Sequence, residues 1–203
     1  MKTQRIISIK TVMTATLVAI FLIFADCKSK DGSVNKEKGL ASDSRAKVKP
    51  PNMDIHTAAL FGDIKAISQH IKAGSDLDEK DEYGSTPLII AATFGKTEVA
   101  EALIGAGADM SCRNNDGSTP LHIAAFFCRT EIVKMLLDNG ADRNLENNFG
   151  STPLESVEAP FDNVKGIYDQ FTRDLGPLGL KLDYDYIKVT RPLIAEMLNN
   201  PGL

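Results

Sequence analysis

The sequence predicts an all-α solenoid, in which short helix pairs stack side by side and send hairpin fingers out along one edge. Three observations carry that prediction. The strings GSTPLIIAATFG, GSTPLHIAAFFC and GSTPLESVEAPF begin at Gly84, Gly117 and Gly150, 33 residues apart, and a period of that length marks a repeat array. The same interval separates TEVAEALIGAGAD from TEIVKMLLDNGAD, so the second half of the unit repeats along with the first. The chain has no Trp and only 6% aromatic residues, which leaves Leu, Ile, Val and Ala to build a core of closely spaced short helices.

Each piece of the unit has a local cause. Thr86 and Thr119 are placed to accept from the free amides of a helix start, and Pro87 and Pro120 fit the first helical position, where a missing N–H loses no partner. Ala91-Ala92 and Ala124-Ala125 let neighbouring helices approach closely. Gly62 and Gly95 end the first helix in a left-handed turn; Cys128 stands in the same slot, so a residue with a side chain must take that conformation. The second helix carries Val99, Leu103 and Ile104, or Ile132, Val133, Leu136 and Leu137, on one stripe. Gly107-Ala108-Asp109 and Gly140-Ala141-Asp142 then close it and start the finger. Every helix pair has an apolar flank that only the next pair can cover.

The end units depart from this pattern. The first has Met53-Asp54 where the others have Thr-Pro, as suits a terminal cap. In the fourth, Val157-Glu158 replace the paired alanines and Pro160 ends the first helix early. Val164, Ile167, Tyr168, Phe171 and Leu175 then fall at helical spacing and predict an extra amphipathic helix. LGPLGLKL reads as a connection. RPLIAEMLNNPG matches TEIVKMLLDNG in residue type, with Leu193, Ile194, Met197 and Leu198 on its buried stripe. Repeat four is therefore expected to be split by an insertion of about thirty residues.

These strings resemble ankyrin repeats, over residues 53 to 158. The resemblance implies an L-shaped stack of helix pairs with fingers at right angles, and a role in binding other proteins. The units fall at about 53–85, 86–118, 119–151 and, split, 152–203, all within one domain, 53–203. The resemblance also gives His122, and His56 in the same slot, a structural role, the imidazole bridging backbone groups of adjacent turns. The C-terminal end of the first helix borders the concave surface that this family often varies.

The N-terminal region points to export. Lys2, Arg5 and Lys10 precede fifteen mostly apolar residues, Thr11 to Ala25; the roughly 17 to 25 residues needed to span a bilayer exceed that run, which has the length of a secretory signal core. Cys27 follows at once, as in the bacterial lipoprotein signal, although Asp26 stands where a small residue is usual. Cys27 is thus the candidate lipidation site at the end of a signal in residues 1–27, with a free exported protein or an uncleaved anchor as alternatives. Residues 28–52 have few large apolar side chains and read as a flexible tether. An exported protein at the cell envelope, lipid-anchored on the periplasmic side or free in the periplasm, is expected.

Composition narrows the function. Residues 28–52 carry seven basic and three acidic side chains, whereas residues 53–203 carry 13 basic and 23 acidic ones; an acidic folded part repels phosphate backbones, so no nucleic-acid partner is expected. Spacing suggests no catalytic set, no cofactor and no metal site. The acidic run Asp76, Asp78, Glu79, Asp81 and Glu82 fails the calcium-loop pattern because Lys80 interrupts it. Cys112 and Cys128 are expected to be separate thiols, and His70 to be partly buried near the end of its helix.

The candidate partner-binding residues are Phe61, Phe94 and Phe127, recurring every 33 residues, together with Phe126 and the fingertip residues Tyr83, Asn115, Asp116, Asn148 and Phe149. The three-ring stripe has two readings: a row of exposed anchors, or rings filling gaps against the neighbouring repeat. The leading expectation is a monomeric, non-catalytic binding module for an unidentified protein, tethered to the membrane by its lipid. The alternatives are an envelope inhibitor or immunity protein covering a basic toxin, and an enzyme or metal protein using Asp183, Tyr184, Asp185, Tyr186 and Lys188 of the insertion.

Overall fold

The computed structural model describes residues 49–200. The readings made on Cys27, the apolar run and most of the tether lie outside them. The Lys49 carbonyl already accepts from Gln69 Nε2 at 3.0 Å, so the last tether residues belong to the folded part. The described residues form helices and no strands: α1 (Ile55–Phe61), α2 (Ile64–Ala73), α3 (Pro87–Phe94), α4 (Thr97–Gly105), α5 (Pro120–Phe126), α6 (Thr130–Asp138), α7 (Glu155–Glu158), α8 (Phe161–Leu175) and α9 (Tyr184–Asn199), with a 3-10 turn at Gly176–Leu178. None of these helices is long and apolar enough to cross a membrane.

Helix starts and stops follow their sequence cues. The side chains of Asp54, Thr86 and Thr119 accept from Thr57, Ile89 and His122 amides, and Pro87 and Pro120 open their helices. Gly62 and Gly95 end α1 and α3 at φ 75° and 65°, and Cys128 adopts φ 54° in the same slot. That conformation crowds a Cβ against its own carbonyl. The Cys128 side chain is nevertheless well accommodated, buried with Sγ 3.8 Å from the Ile187 carbonyl.

The helices make two layers. First helices α1, α3, α5 and α7 pack in sequence on one side, and second helices α2, α4, α6 and α9 on the other. Between them lies one continuous core in which Ala58-Ala59, Ala91-Ala92 and Ala124-Ala125 are fully buried beside Ile67, Leu88, Leu103, Leu121 and Leu136. Small residues on the first helices bring the layers close, and the large aliphatics fill the seam at a density where each lost methylene is felt. α9 therefore holds the second-helix position of a fourth repeat whose first helix, α7, has only four residues before Pro160.

Two details of the C-terminal region correct the sequence reading. The last helix starts at Tyr184 rather than near Arg191, and it continues through Pro192. Leu193 is 55% exposed, while Ile187, Thr190, Arg191, Ile194 and Leu198 form the buried face. The match to TEIVKMLLDNG aligned residue types correctly, but the two extra turns at the front of α9 rotate the buried stripe to 187, 190/191, 194 and 198, and Leu193 falls outside it.

The insertion builds a second core. Phe127, Cys128, Val164, Tyr168, Leu180 and Ile187 are buried together, with Phe94, Phe126, Phe161 and Phe171 packed around them. Tyr168 stacks on Phe126 with centroids 4.6 Å apart, and Phe171 meets Phe127 edge to face at 5.1 Å. The buried Arg191 guanidinium ties this core to the last repeat: Nη1 donates to Tyr168 Oη at 2.8 Å, and Nη2 donates to the Ser156 and Ala159 carbonyls at 3.2 and 2.8 Å. Tyr168 Oη donates in turn to the Phe126 carbonyl at 2.6 Å. Burial pushes the Tyr168 hydroxyl up to about 12 and the Cys128 thiol up to about 11, in both cases against the pull of Arg191.

Candidate partner-binding surface

Three residue columns, each with a 33-residue step, run along the first helices. They are Thr57, Ile90 and Ile123; Leu60, Thr93 and Phe126; and Phe61, Phe94 and Phe127. The aromatic stripe is graded along the stack: Phe61 is 64% exposed, Phe94 is half-buried, and Phe127 is 2% exposed. Neither reading of the stripe holds for all three rings: Phe61 is exposed as an anchor would be, and Phe127 is buried. α8 lies over the end of α5 and covers Phe126 and Phe127, so neither is a free contact residue, and the cover comes from the insertion rather than from a neighbouring repeat. Of the three rings only Phe61, on repeat one, stays exposed.

The fingers are built on side-chain turns with the same step. Asp81, Asn114 and Asn147 each accept through Oδ1 from the residues two and four ahead: Tyr83 and Ser85, Asp116 and Ser118, Phe149 and Ser151. This fixes Tyr83, Asp116 and Phe149 as the tip column, with Tyr83 46% and Phe149 56% exposed. Neighbouring fingers are then laddered together. Asn115 N–H donates to the Tyr83 carbonyl and Asn115 Nδ2 to the Glu82 carbonyl; Asn148 N–H donates to Asp116 and Asn148 Nδ2 to Asn115. Asn115 and Asn148, expected as contact residues, thus have their carboxamide donors committed within the array, and the tip column is left as the outward feature.

The finger cations are committed too. Lys80 Nζ donates to the Arg113 carbonyl at 2.8 Å, Arg113 to the Glu146 carbonyl at 2.6 Å, and Arg143 to the Leu198 carbonyl at 2.9 Å. Among the described residues no ion pair involves a finger carboxylate. Asp76, Glu79, Glu82, Asp116 and Glu146 are exposed, so the finger edge presents negative charge to solvent. Sequence reasoning missed these ties, although basic residues at 80 and 113 and Asp or Asn at 81, 114 and 147 were a readable signal.

The remaining titratable groups have structural roles. The Thr119 amide donates to His122 Nδ1 at 3.2 Å, so the ring proton sits on Nε2 and is given to the Ser151 carbonyl at 3.0 Å. Burial lowers the His122 pKa below the ordinary value. A group whose native pKa is depressed contributes stability that is fully present above its unfolded pKa, about 6.5, and lost as pH falls through the native value. The urea midpoint is therefore expected to fall as pH drops below about 6.5, and His122→Gln to flatten that fall; an unchanged slope would remove His122 as its source. His56 Nε2 meets the Glu79 carbonyl at 2.8 Å. The buried His70 bridges Ser75 Oγ and the Met53 carbonyl.

The insertion residues considered for chemistry do not converge. Asp183 caps α9 by accepting from the Tyr186 amide, Tyr184 Oη donates to Asp169, and Tyr186 Oη pairs with Thr130. Among the described residues no group of His, Cys, Asp and Glu is arranged to hold a metal ion.

The family model for ankyrin repeats (3 copies) matches residues 55–154. No curated protein matches the chain. The match covers α1 through the start of the fourth unit and stops before the insertion. Ankyrin repeats are in general protein–protein interaction modules, typically non-catalytic. The 33-residue step, the two helix layers and the laddered fingers agree with that match: through residues 55–154 the chain belongs to the ankyrin repeat family.

Proposed function

We propose that this chain is a non-catalytic binding module held at a bacterial envelope, which grips a protein partner through the open half of its inner face. The observation that carries the reading is the exposure of Phe61, at the end of α1, and of Tyr83, at the tip of the first finger, neither of which belongs to the aromatic core that covers Phe126 and Phe127. Aromatic anchors of this kind dominate interface energetics, at about 1 to 3 kcal/mol each. The test is cross-linking in intact cells. Phe61→Ala combined with Tyr83→Ala removes the cross-linked partner while leaving the unfolding midpoint in place, because both rings face solvent; capture at the wild-type level would sink the proposal.

The tether is part of the same proposal. Cys27→Ser is expected to move the chain from the membrane to the soluble fraction. Retention on the membrane would mean that the apolar run itself, or another anchor, holds it.

A second reading, an inhibitor that covers a basic protein, is favoured by one feature: the cations at 80, 113 and 143 are tied to backbone carbonyls while finger acids stand exposed. Such a complex forms faster at low ionic strength. An association rate indifferent to salt would dismiss it.

A further inference from the structure

The finger ladder has a direction, and among the described residues it ends on an open rung. Each finger offers two carbonyls to the next, which answers with one Asn: its backbone N–H at 3.1 Å (Asn115 to Tyr83) or 2.9 Å (Asn148 to Asp116), and its carboxamide at 3.2 Å (Asn115 to Glu82) or 2.9 Å (Asn148 to Asn115). The arriving Asn lies directly over the glycine of the finger beneath. A Cβ on Gly84 would sit 2.5 Å from Asn115 Oδ1, and one on Gly117 2.4 Å from Asn148 Oδ1. Gly84 and Gly117 are buried.

The third finger repeats the offer without an answer. The Asn148 and Phe149 carbonyls accept no hydrogen bond among the described residues. Gly150, at φ 69°, is exposed and has nothing within 4 Å of an added Cβ. Glu146 stands in register with Lys80 and Arg113, so the rung carries an exposed carboxylate where the inner fingers carry cations. Among the described residues nothing fills the rung: α7, α8 and α9 contain no finger.

We infer that this edge, formed by Glu146, Asn148, Phe149 and Gly150, is a second docking site, for a turn segment of a partner protein carrying a basic residue two positions before an Asn. The Asn supplies the backbone and carboxamide donors that the two carbonyls await, its side chain occupies the space over Gly150, and the basic residue falls opposite Glu146. Exposed Phe149 flanks the site and adds apolar area. The pattern is the one finger two already uses, Arg113-Asn114-Asn115. A second copy of this chain does not fit: its free first finger carries Glu82 in the Asn position, an acceptor that would face acceptors and add charge beside Glu146. The inference rests on the binding-module reading but occupies a different surface.

The test uses the full chain and a blocked synthetic hexapeptide of residues 113–118, Arg-Asn-Asn-Asp-Gly-Ser, titrated to about millimolar concentration by amide NMR. Shift changes are expected at Glu146 to Ser151 and absent at Phe61. Glu146→Arg in the protein, or Asp in place of the second Asn of the peptide, is expected to weaken binding about tenfold. Both changes lie on exposed groups, and the unfolding midpoint verifies the fold of the protein variant. No shifts at 146–151, or equal affinity for both variants, overturns the edge site and leaves the inner-face proposal standing. Failure of the Phe61 and Tyr83 capture test with peptide binding intact has the opposite meaning.

Discussion

Gly117→Ala is expected to destabilise the chain by about 3 kcal/mol or more, and Gly150→Ala by only about 1 kcal/mol. The backbone requirement is nearly the same at both positions, φ 74° and 69°, so the left-handed penalty cancels in the comparison. What differs is the neighbour. A methyl on Gly117 meets Asn148 Oδ1 at 2.4 Å and the Asn148 amide nitrogen at 2.8 Å; a backbone atom that is itself bonded to the Asp116 carbonyl cannot retreat without breaking the ladder. On Gly150 the methyl meets nothing. Urea unfolding followed by far-ultraviolet circular dichroism measures both variants, and equal losses would show that the fingers are not interlocked as described.

Arg191→Ala is the second large effect, a loss of about 3 kcal/mol. Arg191 is 3% exposed and its guanidinium serves three acceptors on two segments: Tyr168 on α8, and the Ser156 and Ala159 carbonyls at the end of α7. Removing it leaves those oxygens buried without a charged donor, and the insertion loses its tie to the last repeat. The damage is local because stacked repeats share energy mainly with their neighbours. Amide exchange is expected to rise across α8 and α9 and at Phe126 and Phe127, with α1 and α2 protected as before. Tyr168→Phe costs less, since Arg191 keeps two carbonyls, and the pair should be non-additive because the two side chains share the Nη1–Oη bond. Additive losses, or exchange rising uniformly along the chain, would contradict the clamp.

Much of the fold was legible because repeat-array signals are local. Thr-Pro starts, Gly ends, paired alanines and apolar stripes each act within one turn or one neighbouring unit, and the 33-residue step multiplies them. Even Cys128 in a glycine slot could be read for its conformation, since the constraint lies in its own backbone. The binding surface was less legible. The spacing of Phe61, Phe94 and Phe127 correctly put them in one column, yet exposure depends on what lies above, and α8 is 34 to 48 residues further along the chain than Phe127. The Leu193 reading missed for a related reason: the facing of α9 is set by where the helix begins and by the clamp at Arg191, neither of which the TEIVKMLLDNG alignment contains.

By itself the sequence determined the repeating unit, its period, its caps and its alternation of two helix layers, because each depends on backbone preference and on burial between adjacent segments. The tertiary structure alone decided which equivalent positions remain equivalent. Folding the insertion back over α5 covers Phe126 and Phe127, and among the described residues the finger ladder stops at Gly150 with its acceptors open. Identical residues thus end up buried or exposed according to distant parts of the chain, because solvent access is a property of the assembled stack and not of the repeat.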